Sequence, residues 1–195
     1  MARWQPDAKG RLQEAAATLF VERGYEEVTV ADIAERAGLT KRTFFNHFAD
    51  KREVFFAAAK EFEARIVGAL EGADAALDPM AAIIGAYVEG AAMLVDYPEL
   101  VRARETLLAT SQELQERDLM KAASLTAKLV DVLVDRGVAR RDAQFVAQAG
   151  AIVFASAIAA WAVNPELGVE PAMQDALAGF RAAVAHPAQS PRPPR

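Results

Sequence analysis

Five hydrogen-bonding side chains fall within the seven residues Lys41-Arg42-Thr43-Phe44-Phe45-Asn46-His47, and each suits a group on a nucleic acid. Arg offers a fork that fits the acceptors of guanine, and Asn offers a donor and an acceptor that fit adenine. Lys, Thr and His suit phosphate oxygens as well as base edges. Such a set can read a duplex only if one element holds it on one side, so the flanking residues matter as much as the set itself.

Those flanks punctuate two short helices. Thr29 is a good N-cap, and Asp32 three residues on completes a capping-box pattern. Val28 and Ile33 stand at the spacing of a hydrophobic staple, and Ile33, Ala34 and Ala37 give the helix an apolar face. Gly38 ends it where a left-handed residue is needed. Thr40 then caps a second helix, with Leu39 and Phe44 as its staple. Phe44 and Phe48, four apart, point inward and leave Lys41, Arg42, Thr43, Asn46 and His47 on the outer surface. Two capped helices about a glycine turn make a helix-turn-helix. His47 can bond a phosphate or simply lie exposed beside Phe48.

Charge neither requires nor forbids this partner. The chain is acidic overall, at −5, yet residues 1–52 hold nine Lys/Arg against eight Asp/Glu. Within Thr40–Arg52, Lys41, Arg42, Lys51 and Arg52 face only Asp50. The local field governs phosphate binding, so a basic patch on an acidic body is compatible with DNA. Catalytic readings find little material. There is no Cys and there are only two His, His47 and His186, with no glycine-rich phosphate loop. No enzyme, metal site or cofactor is expected. The first residues lack the apolar stretch of a signal peptide, which points to the cytoplasm.

Proline sets the layout. None falls between Pro6 and Pro79, Pro98, Pro165 and Pro171 follow singly, and four crowd Pro187–Pro194. The intervals are rich in Ala, Leu, Glu and Arg without strand-type alternation, and they predict nine helices. Their ranges are 7–23, 30–37, 41–47, 51–71, 79–96, 99–110, 113–136, 141–163 and 171–185. The fold class is therefore all-α, an N-terminal three-helix helix-turn-helix domain over 1–50 followed by a helical body over 51–186, for which ligand binding and dimerisation are expected from the stripes and the resemblance described below. Residues 187–195 are expected to form an unordered tail. From Ala143 to Pro165 no residue is charged, about the length of a membrane span, but the run is Ala-rich and includes Gln144, Gln148, Ser156 and Asn164. A helix buried on two faces in a soluble protein reads the same way, and no membrane partner is expected.

In the body, Phe62 and Ile66 lie on one apolar stripe and Ile84 and Tyr87 on another, stripes that are first of all core. Tyr87 and Trp161 join an apolar body to a polar tip and are the stronger pocket candidates. Arg104 sits among apolar residues, where it can bind an anionic ligand group, pair with a carboxylate or extend to solvent. The helix over 141–163 is apolar on more than one side and implies a partner. Its Ala151, Ala155 and Ala159 ridge, with Ile158, Met173, Leu177 and Phe180, predicts a self-associating four-helix bundle.

Residues 11–56 resemble the N-terminal domain of the TetR (tetracycline repressor) family of regulators. The matching pieces are Leu19-Phe20-Val21-Glu22-Arg23-Gly24-Tyr25, the Thr29–Gly38 helix, the Thr40–Phe48 reader and Asp50-Lys51-Arg52-Glu53. The resemblance implies a homodimeric repressor on an inverted-repeat operator in double-stranded DNA, released by a small-molecule effector. By position it implies phosphate contacts from Thr29, Thr40 and Lys51, and base reading by Lys41, Arg42, Thr43 and Asn46. Most relatives carry Tyr where this chain has Phe45, so here a hydroxyl to the DNA backbone is missing. From the residues alone, a helical small-molecule-binding or adaptor protein without DNA recognition stays the alternative.

Overall fold

Both short helices about the glycine turn form, each on the cap expected of it. The computed structural model describes residues 8–95 and 98–185, so the expected tail over 187–195 and His186 lie outside the described residues. Helix α1 spans Ala8–Arg23, α2 Val30–Arg36 and α3 Lys41–His47. Thr29 Oγ1 accepts from Asp32 N at 3.2 Å while Asp32 Oδ2 accepts from Thr29 N at 2.8 Å, a complete capping box. Thr40 Oγ1 accepts from Thr43 N at 3.1 Å. Between the two helices Gly38 has φ +64°, a conformation that costs a side-chain-bearing residue but not glycine.

The helix expected over 51–71 is divided. Asp50 caps α4, Lys51–Phe55, and α5 begins only at Ala59 and runs to Glu71. Across the break, Ala57 N bonds Val54 O at 3.3 Å and Ala59 N bonds Phe56 O at 3.0 Å, a tighter winding than the α-helix. No Gly or Pro causes it. Val54 and Phe56 are buried with the N-terminal helices, whereas Ile66 and Leu70 are buried in the body, and the two faces do not align on one straight helix. Tertiary packing has overridden local propensity.

The body contains α6 (Pro79–Ala91), α7 (Pro98–Thr110), α8 (Gln112–Asp135), α9 (Arg140–Val163) and α10 (Val169–Ala185), with a short 3₁₀ turn at Pro165–Leu167. The helix expected over 79–96 thus ends at Ala91, and the last helix starts two residues before Pro171. Pro171 then falls in the first turn of α10, where a missing N–H costs nothing. Among the described residues there is no strand. Helix α9 is the centre of the body, packed against α6, α7, α8 and α10. By length and composition it could cross a membrane, but its Ala143, Ala147, Val153, Ala157 and Trp161 row is buried inside the fold.

Two apolar clusters result. One holds the inner faces of α5, α6, α8, α9 and α10. The other holds Leu12, Leu19, Phe20, Ile33, Phe44 and Phe48, and it is completed by Leu107 and Leu108 of α7 and Leu114 of α8. The side chains of α4 belong to this second cluster, so the packing boundary lies near 57 rather than at 50.

Candidate nucleic-acid interface and internal cavity

Helix α3 sorts its side chains as its sequence dictates. Phe44 and Phe48 are buried, and Phe44 packs edge-on against Phe45 at 5.6 Å. Thr40, Lys41, Arg42, Phe45, Asn46 and His47 are exposed, and Thr43 is half-buried. Lys41, Arg42 and Asn46 have no side-chain hydrogen bond or ion pair among the described residues. Phe45 stands 56 % exposed among them. The ring of His47 lies 6.5 Å from that of Phe48, exposed beside it.

The three expected phosphate contacts are placed differently from one another. Thr40 keeps its hydroxyl near the surface, sharing it with Thr43 N and the Thr43 hydroxyl at 3.0 Å. Thr29 directs both its N–H and its hydroxyl to Asp32, so its donors serve the cap of α2. The hydrogen bond from the Thr29 hydroxyl, with the backbone bond beside it, holds the Asp32 carboxyl below its ordinary range. Lys51 turns inward. Its Nζ donates to Tyr25 O at 2.7 Å and lies 4.1 Å from the centroid of the Tyr25 ring, tying α4 to the end of α1.

Polar ties also join this domain to the body. Ser111 caps no N–H of α8; its hydroxyl donates to Glu26 at 3.1 Å instead. Arg52 bridges Asp50 at 2.7 Å and Glu113 at 2.9 Å. Burial, reinforced by the carboxylates of Glu113 and Asp50, raises the Tyr25 phenol well above its usual range.

Behind this seam lies a cavity of about 640 Å³. Of the expected pocket residues Phe62, Tyr87 and Arg104 line it, together with Phe20 and Ala16 of α1, Phe55 and Phe56 at the α4–α5 break, and Phe154 of α9. Three expected pocket residues are elsewhere. Ile66 fills the space against Gly90, where a Cβ would stand 2.4 Å from its Cγ1. Ile84 lines a separate surface groove between α6 and α10. Trp161 is enclosed in the body core. Of the three roles open to Arg104, the structure shows the carboxylate pair, with Asp118 and with Glu105 at 3.5 Å. The roles of Phe20, Phe55, Phe56 and Phe154 were not legible, because on a helix wheel a cavity wall and a core face look alike.

The expected dimer residues divide likewise. Met173, Leu177 and Ile158 are buried within their own chain. Ala151 and Phe180 are partly buried, while Ala155 and Ala159 are exposed. The apolar residues that α9 leaves outside are Phe145, Ile152 and Val163, at 61, 60 and 77 % exposure, with Val184 of α10.

Residues 12–58, the whole reader and α4, match the family model of bacterial regulatory proteins, tetR family. The regulator TcmR of Streptomyces glaucescens is 38 % identical over 79 residues, which cover 40 % of this chain and 35 % of that protein. The match therefore spans about a third of its curated relative's length. The likeness of the whole chain is to solved folds. SmeT, the repressor of the Stenotrophomonas maltophilia multidrug efflux pump SmeDEF, aligns over 96 % of this chain and 97 % of its own, with 23 % identity and a TM-score of 0.58. NalD, the secondary repressor of the MexAB-OprM pump in Pseudomonas aeruginosa, aligns over 89 % and 93 %, with 17 % identity and a TM-score of 0.63. At these identities the body shares their all-α fold.

Proposed function

We propose that this chain is a cytoplasmic transcriptional regulator that binds an inverted-repeat operator as a homodimer and releases it when a small, mostly apolar molecule enters the cavity. The observation that carries the reading is the outer face of α3, where Lys41, Arg42 and Asn46 stand exposed and unpaired beside an outward Phe45. Unpaired donors on a short capped helix, itself seated on two buried phenylalanines, are what direct reading of a major groove requires. Repression is the favoured sign because SmeT and NalD, which share the fold, are repressors.

Support for the dimer comes from the unpartnered stripe Phe145, Ile152, Ala155, Ala159 and Val163 along α9. Exposed apolar surface of this kind, here interrupted by Gln148 and Ser156, marks an association site. Support for the effector comes from where the cavity lies. Phe20 and Phe56 are at once cavity wall and reader core, and α7 runs from the cavity at Val101 and Arg104 to the reader at Leu107 and Leu108. An occupant that shifts either contact changes the spacing of two readers, and ~1–3 kcal/mol of differential affinity suffices for a clear response.

Fluorescence anisotropy of a labelled duplex, titrated with protein across a salt series, tests the reading. Affinity is expected to fall steeply with salt, and Lys41→Ala or Arg42→Ala to flatten the slope by about one wherever the residue meets phosphate. Salt-independent behaviour, or variants matching the parent chain, would instead favour an adaptor.

A further inference from the structure

The cavity walls are specific enough to say what kind of molecule the proposed effector is. Six of the chain's thirteen Phe and Tyr side chains line it: Phe20, Phe55, Phe56, Phe62, Tyr87 and Phe154. Tyr87 and Phe154 stack with centroids 4.6 Å apart and 16° between planes, and Phe62 tilts against Phe154 at 5.7 Å. Ring faces and edges arranged this way reward offset and edge contacts with another ring. A flat ligand also loses less conformational freedom on entry than an alkyl chain of equal volume.

Which polar groups remain free decides the charge. Arg104 is held by Asp118 and Glu105, Glu63 by Lys128, and Lys121 Nζ lies 5.5 Å from the centroid of the Phe56 ring. An anionic head group would have to take the charge of Arg104 from its carboxylates; the other cations of the wall, Lys60 and Lys121, are exposed and half-buried, so water already solvates them and an anion gains little there. Tyr87 is different. It is 2 % exposed and lines the cavity, yet its hydroxyl has no hydrogen-bond partner among the described residues. Burial pushes its pKa up to about 12, so it stays a neutral donor at any physiological pH. A hydroxyl that opens onto the cavity without a protein partner is free to donate, and an acceptor on a ligand would take that hydrogen bond.

We infer that the cavity takes an uncharged, flat, multi-ring aromatic compound whose carbonyl or ring nitrogen accepts a hydrogen bond from the Tyr87 hydroxyl. The inference rests on the cavity being the effector site proposed above. Two probes test it on the full chain by calorimetry: flavone, a neutral fused-ring ketone, and dodecanoate, an anionic chain. Flavone is expected to bind at least tenfold more tightly than dodecanoate. Tyr87→Phe, which removes only the O–H, should weaken flavone about tenfold, the size of one hydrogen bond, and leave dodecanoate unchanged. Unfolding of that variant at the parent temperature shows that the fold is intact. Tighter binding of dodecanoate, no binding of flavone, or equal flavone affinity in Tyr87→Phe each overturns the inference. Adding each probe to the protein–operator complex separates this inference from the effector reading. Dodecanoate that binds tightly and releases DNA would sink the aromatic assignment alone. Flavone that binds through Tyr87 without moving DNA affinity would sink the switch alone.

Discussion

At the scale of single residues, chemistry was legible where it depends on local spacing. Thr29, Asp32, Gly38 and Thr40 all do what their positions dictate, because caps and turns are short-range. What spacing could not show is which donors are already engaged. Thr29 and Lys51 both carry groups fit for phosphate, yet Asp32 takes the donors of one and Tyr25 O receives the other. The depressed Asp32 carboxyl has a consequence in acid. Its ordinary value is 3.8 and the folded value lies below it, so its share of stability is present above 3.8 and is lost as pH falls through the folded value. The amide resonances of Thr29 and Asp32 should therefore titrate together below that pH in NMR spectra. In Asp32→Asn that step should disappear.

At the scale of elements, the helices were visible as proline-free intervals, and their rotation was not. The Ala151, Ala155 and Ala159 row looked like the ridge for close approach. The row that α9 actually buries runs through Ala143, Ala147, Gly150 and Ala157, turned about the helix axis from Ala155 and Ala159. A Cβ at Gly150 would stand 2.2 Å from Ile83 Cγ2, which marks where α6 and α9 touch most closely. Small residues on every side of a helix leave its orientation to be settled by distant partners, here Ile83 and Tyr87. The α4–α5 break was hidden for the same reason, since only the diverging burial of Phe56 and Ile66 produces it. The corner between α7 and α8 is likewise silent in sequence, although it completes the reader's core. Leu114→Ala should therefore destabilise the DNA-binding domain by about 2–5 kcal/mol although it lies far along the chain. Hydrogen exchange resolved by segment would register it as loss of protection in α1 and α3. Loss confined to α8 would show that the two cores are independent.

At the scale of the molecule, one apolar face of α9 joins two readers in the proposed dimer. Ile152 lies at 60 % exposure in the middle of that face and touches neither the cavity wall nor the reader core. Ile152→Glu should leave helicity intact and convert a dimer to a monomer in sedimentation velocity at micromolar concentration. A parent chain that sediments as a monomer would remove the basis for a two-fold operator. The most direct test of the central claim is selection of bound sequences from random duplex DNA by the parent chain. A two-fold dimer carrying one α3 per protomer predicts an inverted repeat whose half-site centres lie about one helical turn, or a multiple of it, apart. The same selection with Asn46→Ala should blur particular base pairs in both halves by ~1–3 kcal/mol each where the contact is bidentate. Enrichment of no sequence at all, or of an asymmetric single site unaffected by Asn46→Ala, would contradict it.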